Sequence, residues 1–340
     1  MASRAAGTIL FAAIAMAANA ALAAAQQSGA PQLSLPIACE PGKTCFIQNY
    51  VDIDPGPGVQ DFACGAATYE GHKGVDFRLQ SAAETSKAIA VLASADGTVK
   101  GVRDGMTDIF VSRGGGMESV KDRECGNGVV IDHGGGWETQ YCHLRKGSVA
   151  VKSGEAITRG QRLGDTGFSG AADFAHVHLQ VRHNNEVIDP FTGQPQNAIC
   201  LKDTAAVAGL WQEATAKALA YTDGQALGSG FTGILPTKDT VEDQHAPELP
   251  TATSPQLVYF ARFMNLRAGD QVQISLTGPQ GFAVGDPGKP VDRPKATWLS
   301  FSGKKLTQAA WPPGRYSGKA ALVRGGKTVS ETSAVFDLAP

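Results

Sequence analysis

The chain has 340 residues, of which 42% are apolar and 18% charged, so it can bury the core of one large domain or of two domains. Its formal net charge is -2, without a block of like charges, which gives no basic surface for nucleic acid or for an anionic membrane. Disorder and nucleic-acid binding are therefore not expected.

The first 25 residues differ from the rest, because Arg4 precedes an apolar, Ala-rich run that ends in small residues. This pattern is typical of a secretory signal peptide, and residues 18–20 and 23–25 both have the small-x-small form of a cleavage site. We expect cleavage after Ala20 or Ala25 and export to the periplasm or the medium. An uncleaved membrane anchor is the alternative, although the apolar run is short for a span. No later segment is apolar enough to cross a bilayer, so no stable membrane insertion is expected after cleavage.

Residues 26–64 are rich in Pro, Gly and Cys, which predicts ordered loops and an edge strand. From 65 to 200, segments rich in Val, Ile, Tyr and Thr alternate with turn residues roughly every 8 to 12 positions, which predicts a mainly β domain with an antiparallel sheet. Residues 201–245 are expected to hold a helix, from Thr204 to Ala220 with Asp203 as N-cap, and a polar linker. Residues 246–340 contain strand-like segments joined by Gly and Pro turns, which predicts a C-terminal β-sandwich (Ig-like) domain.

The mature chain contains six cysteines, and an even number in an exported protein indicates disulfide bonds. The segment CGNGVVIDHGGGWETQYC, residues 125–142, reads as two strands that fold back on each other and place Cys125 opposite Cys142. We therefore predict this disulfide. A zinc cluster of cysteines is not favoured, because no CxxC spacing occurs. The sequence leaves open how the other four pair: Cys39, Cys45, Cys64 and Cys200.

The segment GHKGVDF, residues 71–77, holds His72 and Asp76 with Gly74 between them. On an extended strand the three residues share one face, so two ligand-type side chains flank an empty space. Such a pair alone is weak evidence for a metal, because histidine and aspartate are common on surfaces.

Further histidines fall in strand segments of the same predicted domain. His176 and His178, in AHVHLQVR, share one strand face, and His143, in QYCHL, lies near a strand end. His72, Asp76 and His178 together offer two nitrogens and one carboxylate, a set that suits Zn²⁺ and leaves a fourth position for water. The other histidines, in predicted turns or in the linker, are expected to be solvated: His133, His183 and His245.

The order H-x-x-x-D, Tyr-x-His-Leu and His-x-His, with GDTGFSG just ahead of HVHL, resembles the M23 family of zinc metallopeptidases. These LytM and lysostaphin-type enzymes cut peptide bonds in peptidoglycan, and the resemblance covers about residues 65–190. It implies an M23 peptidase domain over 65–200 with zinc on His72, Asp76 and His178. It also implies that His143 and His176 act on the water and on the developing oxyanion. Because no HExxH motif is present, histidine has to take the role of base.

We therefore expect an exported zinc endopeptidase whose partners are the stem peptides or cross-links of peptidoglycan. One alternative is a catalytically silent M23-like protein that binds the wall or activates an amidase, and the complete ligand set argues against it. A secreted metallopeptidase with a protein substrate is the other alternative. The sequence leaves open the cross-link that is cut, the oligomeric state, the role of the C-terminal domain and whether residues 26–64 mask the site.

Overall fold

The computed structural model describes residues 29–204, 209–243 and 247–339. The predicted signal peptide lies outside these residues, and so does His245. No helix in the described part of the chain is long and apolar enough to span a membrane.

Strands dominate the structure, and every pair of named strands is antiparallel, so the predicted mainly β, antiparallel class is confirmed. The described helices are α1 (Glu213–Ala218) and α2 (Lys238–Glu242), and 3-10 turns span Ala82–Lys87, Met117–Val120 and Pro279–Gly281. Within the described chain, the strands are β1 (Phe46–Asn49), β2 (Val75–Arg78), β3 (Ala90–Leu92), β4 (Gly97–Arg103), β5 (Asn127–Gly134), β6 (Trp137–Leu144), β7 (Ala156–Ile157), β8 (Arg162–Asp165), β9 (His176–His183), β10 (Glu186–Asp189), β11 (Gln194–Pro195), β12 (Gln225–Thr232), β13 (Gln256–Leu266), β14 (Gln271–Thr277), β15 (Ala283–Asp286), β16 (Lys295–Lys305), β17 (Gly314–Arg324) and β18 (Lys327–Leu338).

One large sheet is the scaffold of the N-terminal unit, which comprises β1 to β11. Its strand order among the described residues is β1-β2-β9-β6-β5-β4-β7, with β10 and β11 continuing from β9, and β1 is the predicted edge strand. Val75 and Phe77 of β2, and Val177 and Leu179 of β9, are almost fully buried in its core. The residues between them are polar, so apolar and polar side chains alternate along each strand, and this alternation is visible in the sequence.

Two smaller sheets make up the C-terminal unit, which comprises β12 to β18. In the part of the chain that is described, their orders are β12-β13-β16 and β15-β14-β17-β18. Side chains of both sheets, among them Tyr259, Phe263, Leu276 and Tyr316, meet in one buried core. This arrangement agrees with the predicted β-sandwich, whereas an Ig-like relationship stays a prediction.

The helix predicted from Thr204 is shorter than expected. Asp203 and Thr204 are not helical, and α1 begins after Gln212, which takes the N-cap position. Gly209 has a left-handed φ of 51°, and Trp211 forms an extended bridge with Leu33, so the chain is not helical just before α1. The apolar spacing reflected the burial of Trp211 in the N-terminal core and not a longer helix.

The segment predicted as linker contains two elements of the fold. β12 pairs with β13 along most of its length, so a strand of the C-terminal unit precedes residue 246, where that domain was expected to begin. The sequence hid this strand because its segment, QALGSGFT, is rich in glycine and serine. α2, in the connection between β12 and β13, was also read as linker. We propose that the C-terminal domain begins near Gln225.

Three disulfides are present among the described residues, and the predicted Cys125–Cys142 bond is one of them. The pairings that the sequence left open are Cys39–Cys45 and Cys64–Cys200. Cys64–Cys200 ties the loop-rich N-terminal segment to the chain that follows β11. All three bonds therefore brace the N-terminal unit.

We expect the cost of removing each disulfide to follow the length of the loop that it closes. The sequence separations are 136, 17 and 6 residues for Cys64–Cys200, Cys125–Cys142 and Cys39–Cys45. Chain entropy then predicts losses of about 5, 3 and 2 kcal/mol in the free energy of unfolding when both cysteines of a pair become serine. Urea unfolding of the three double variants measures this. A larger loss for Cys39–Cys45 than for Cys64–Cys200 would contradict the entropic account.

Candidate active site

Three ligand-type side chains meet at the β2–β9 pair. Asp76 on β2 lies directly opposite His178 on β9. His72 belongs to a turn before β2, where its backbone N–H donates to the carbonyl of Tyr69 at 3.0 Å. The prediction that His72 extends the strand is therefore wrong, but the turn brings its ring back to Asp76.

The donor atoms of this cluster fit a tetrahedral metal ion. Nε2 of His72, Oδ1 of Asp76 and Nδ1 of His178 are separated by 3.2 Å, 3.1 Å and 2.8 Å. Zinc bonds of about 2.0–2.1 Å place tetrahedral ligands about 3.3 Å apart, close to these distances. In the described residues, this cluster is the one group of three or more His, Cys, Asp or Glu side chains arranged to hold a metal ion. Two imidazoles and one carboxylate are the donors that Zn²⁺ accepts.

Neighbouring groups fix the orientation of two of the three donors. Nδ1 of His72 is 2.7 Å from the carbonyl oxygen of Tyr50, so it carries the proton and leaves the lone pair on Nε2. The amide of Asn49 donates to Oδ2 of Asp76 at 2.7 Å, which leaves Oδ1 to the histidines. Both partners belong to the segment at the end of β1, beside β2. The edge strand therefore holds the ligands in place.

Gly74 supplies the space for His178. A Cβ at this position would lie 2.6 Å from Cε1 and Nε2 of His178 and 2.5 Å from the carbonyl oxygen of Leu179. The sequence predicted an empty space beside His72 and Asp76, and the imidazole of His178 fills it. A glycine is required here because of close approach and not because of its backbone angles.

His143 and His176 form a second pair beside the cluster, with ring centroids 4.5 Å apart. Nδ1 of His143 lies 2.7 Å from the carbonyl oxygen of Ser169, and Nδ1 of His176 lies 2.9 Å from that of Phe174. Each Nδ1 therefore carries a proton and each Nε2 a lone pair. Nε2 of His176 is 3.6 Å from Oδ1 of Asp76, which ties the pair to the ligand cluster.

His143 has a left-handed backbone, with φ of 64°. This conformation is unfavourable for a residue with a Cβ and persists only where the surroundings enforce it. Its N–H donates to the carbonyl of Cys125 at 2.8 Å, and its neighbour Cys142 is bonded to the same residue through sulfur. The disulfide therefore braces the backbone that carries His143.

Burial and charge keep most of the imidazoles neutral. Burial, with His176 and His178 nearby, holds the pKa of His143 well below its ordinary value, and burial lowers the pKa of His176 to about 4. Burial also lowers the pKa of His178. Burial acts in the same sense on His72, but the charge of Asp76 outweighs it and raises the pKa of this imidazole. The neutral ring is therefore favoured at His143, His176 and His178, whereas Asp76 favours the charged form of His72.

A groove of about 410 Å³ opens over the cluster. Tyr69 lies at its rim, half exposed, with its ring centroid 4.4 Å from that of His72. The lining residues are Tyr69, Gly71, His72, Lys73, Glu124, Cys125, Gln140, Cys142, His143, Ala171, His178 and Gln180. An extended peptide in this groove could reach His72, His178 and His143, whereas Asp76 lies buried beneath them.

A larger depression, of about 810 Å³, lies on the C-terminal unit between β14, β15, β17 and β18. Its charged lining residues are Asp286, Lys319 and Glu331, and no histidine or cysteine lines it. Among the described residues, no group of three metal donors lies at this surface. The chemistry therefore selects the smaller groove.

Sequence reasoning missed the groups that orient the site. Asn49 gave no signal, and the carbonyl oxygens of Tyr50, Ser169 and Phe174 have no sequence signature, because every residue has a carbonyl.

The expectation that His133 is solvated was wrong, since its ring nitrogens contact the carbonyl of Asp96 and Oγ1 of Thr139. His183, the other described histidine, is partly exposed and stacks on Trp137.

We expect Gly74→Ala to abolish metal binding without unfolding the protein, because the new methyl group displaces the ring of His178. Metal content after dialysis and a thermal melt measure the two effects. Gly101→Ala on β4 is the control, since a Cβ there meets no atom within 4 Å and its φ is not left-handed. Full metal content in the Gly74 variant would show that His178 does not depend on this space.

A model described as Peptidase family M23 matches residues 70–190. An uncharacterized metalloprotease of Haemophilus influenzae is 31% identical over 121 residues, 36% of this chain and 20% of that protein. The peptidoglycan DD-endopeptidase ShyA of Vibrio cholerae is 36% identical over 76 residues, 22% of this chain and 17% of that protein. The DD-carboxypeptidase/endopeptidase Mpg of Neisseria meningitidis is 31% identical over 150 residues, 44% of this chain and 29% of that protein. The match thus spans less than a third of each relative, and the similarity of this chain to peptidase family M23 lies in residues 70–190.

Proposed function

We propose that this protein is an exported, zinc-dependent endopeptidase that hydrolyses peptide cross-links of bacterial peptidoglycan. The observation that carries the proposal is the set of three metal donors, His72, Asp76 and His178, beside the His143–His176 pair. His72, His178 and His143 line an open groove. The relatives named as peptidoglycan DD-endopeptidases support the substrate class. Because this chain covers only a small part of those relatives, the substrate is part of the proposal.

We assign Zn²⁺ to Nε2 of His72, Oδ1 of Asp76 and Nδ1 of His178. When bound, the ion supplies Lewis acidity towards the attacking water and the scissile carbonyl. Asn49 and the carbonyl of Tyr50 keep the ligands aimed at the ion, as outer partners do in other zinc sites.

His143 and His176 handle protons in this mechanism. Each presents an unprotonated Nε2, because its Nδ1–H is donated to a backbone carbonyl. One Nε2 takes a proton from the attacking water, and the resulting imidazolium stabilises negative charge that develops on the carbonyl oxygen. His143 lines the groove and is therefore the group closer to the substrate. Two histidines perform here what glutamate performs in HExxH peptidases.

The groove suits a polar peptide. Gln140 and Gln180 offer amide groups to a peptide backbone, and Lys73 and Glu124 offer charges of opposite sign at the rim. Stem peptides carry both carboxylates and amines, so either charge can pair with such a substrate. The groove has no large apolar wall, which disfavours recognition of hydrophobic side chains.

Export is supported by the three disulfides of the N-terminal unit, because such bonds persist in oxidising compartments. The composition of the first 25 residues supports the same proposal.

Digestion of isolated peptidoglycan beside casein tests the substrate. We expect the purified zinc protein to release peptides from cross-linked peptidoglycan, detected by mass spectrometry, and to leave casein intact. Cleavage of casein alone would favour a peptidase of protein substrates. Stoichiometric zinc without hydrolysis of either substrate would favour a silent binding or activator protein.

Three alanine variants test the roles of the histidines. His178→Ala should lose zinc and hydrolysis together, because it removes a ligand. His143→Ala and His176→Ala should keep about one zinc per chain while hydrolysis falls by about 100 to 10,000-fold, the usual contribution of a positioned acid or base. Zinc content, thermal stability and turnover are measured side by side. Parental turnover in folded His143→Ala and His176→Ala proteins would rule out their catalytic assignment.

A further inference from the structure

A buried ion triad joins the N-terminal and C-terminal units behind the active site. Arg78 on β2 is fully buried, and Glu242 at the end of α2 and Arg262 on β13 are nearly so. Nη2 of Arg78 lies 2.7 Å and 2.8 Å from the two carboxylate oxygens of Glu242, and Nη2 of Arg262 lies 3.2 Å from one of them. One carboxylate of the C-terminal unit is thus held between two guanidinium groups.

The remaining hydrogen bonds of Arg78 also fix its position. Nη1 donates to Oε1 of Gln48 at 2.7 Å, and Nε donates to the carbonyl of Leu79 at 3.0 Å. The amide of Gln48 donates in turn to the carbonyl of Ala296 at 2.8 Å, in the C-terminal unit. Both the charge and the polar contacts of Arg78 therefore depend on residues far along the chain.

Arg78 is connected to the candidate catalytic histidine through one aromatic ring. In the β2–β9 register Arg78 lies opposite His176. Its guanidinium carbon is 4.9 Å from the ring centroid of Phe174, and that ring stacks on His176 with centroids 4.3 Å apart and an interplanar angle of 28°. The carbonyl of Phe174 also accepts the Nδ1–H of His176. Phe174 therefore controls both the plane of this imidazole and its proton position.

A purely structural account of the triad is insufficient. Buried ion pairs generally add little stability compared with apolar side chains of the same shape, because desolvation offsets the attraction. The two units already share an apolar contact, made by Phe46, Leu227 and Met264. The ion pairs fix the position of the Arg78 guanidinium, and this guanidinium contacts the ring of Phe174.

We propose that Arg78 is a positioning residue for His176, acting through Phe174, and that Glu242 and Arg262 of the C-terminal unit hold it in place. The catalytic part of this inference rests on the proposed function, since it takes His176 to act in hydrolysis. It gives the C-terminal unit a role in the active site: without Glu242, Arg78 is a buried cation that has lost its carboxylate partner. The C-terminal unit then contributes to catalysis by holding Arg78 in place.

Three variants in the full chain test the catalytic consequence. Arg78→Met keeps an unbranched apolar stem without the charged guanidinium, Glu242→Gln keeps the shape of the side chain without its charge, and Phe174→Leu removes the ring. Each should keep its zinc and its KM while kcat falls by about 10- to 100-fold, the loss expected when a reacting group is displaced by about 1 Å.

The control is Arg324→Met, which breaks ion pairs with buried Asp270 inside the C-terminal unit and with Asp223 just before β12. It should lower thermal stability but leave kcat unchanged. If Arg324→Met lowered kcat as much as Glu242→Gln, the effect would be one of general destabilisation, and the positioning role would be wrong.

A double-variant cycle tests whether Arg78 acts through His176. In a His176→Ala background, Arg78→Met should cause no further loss of the residual turnover, because the group that it positions is absent. Independent, multiplicative losses would overturn the proposal. If Arg78→Met does not fold, Glu242→Gln replaces it in the same cycle.

A measurement on the imidazole itself separates this inference from the proposed function. In the metal-free protein with isotope-labelled histidine, the Nδ1–H of His176 should give a protected NMR signal, assigned by its loss in His176→Ala. Glu242→Gln should shift this signal and speed its exchange with water, and Arg324→Met should not. This result does not require any substrate, so it stands even if peptidoglycan is not cleaved. An unchanged signal in Glu242→Gln would overturn the positioning role.

Discussion

The carboxylate of Asp76 is the group on which the site depends. It is almost fully buried, and its Oδ1 lies within 3.6 Å of ring nitrogens of His72, His176 and His178. Burial alone would favour the neutral acid, but the neighbouring His72 and His176, with a hydrogen bond from His178, hold the pKa of Asp76 well below its usual range. An ionised carboxylate is thus kept in the interior by three imidazoles at Oδ1 and by the amide of Asn49 at Oδ2. A divalent cation bound by His72, Asp76 and His178 would satisfy the same charge.

The pairing of β2 with β9 sets all of these contacts at once. Asp76 lies opposite His178, and two residues further along Arg78 lies opposite His176. A slip of one residue would turn these side chains to the other face of the sheet and bring Val75, Phe77 and Val177 out of the core. The cost of exposing that core is what fixes the register. The geometry of the site therefore follows from the apolar residues between its polar ones.

The parts of this structure that could be predicted are those written in local patterns. The period of two gave the strands, the fold-back of residues 125–142 gave the Cys125–Cys142 bond, and histidine spacing gave the groups that the structure brings together. The turn that carries His72 was missed because the alternating sequence pattern does not mark the start of β2, which begins at Val75, three residues after His72. β12 was missed because glycine and serine hide a strand.

The contact between Arg78 and Glu242 could not have been predicted, because 164 residues separate the two. Glu242 looks like any charge in a polar linker, and only the folded chain shows that it is buried. The same holds for Arg262, which is one of many basic residues in strands. Residue type predicts average burial, and by that rule a charged side chain is expected at the surface. A buried charge needs a partner, and here that partner comes from a distant segment of the chain. In this protein the buried contact between Arg78 and Glu242 lies behind Phe174 and the imidazole of His176. The C-terminal unit, in which the sequence showed no functional motif, therefore contacts the residues that support the site.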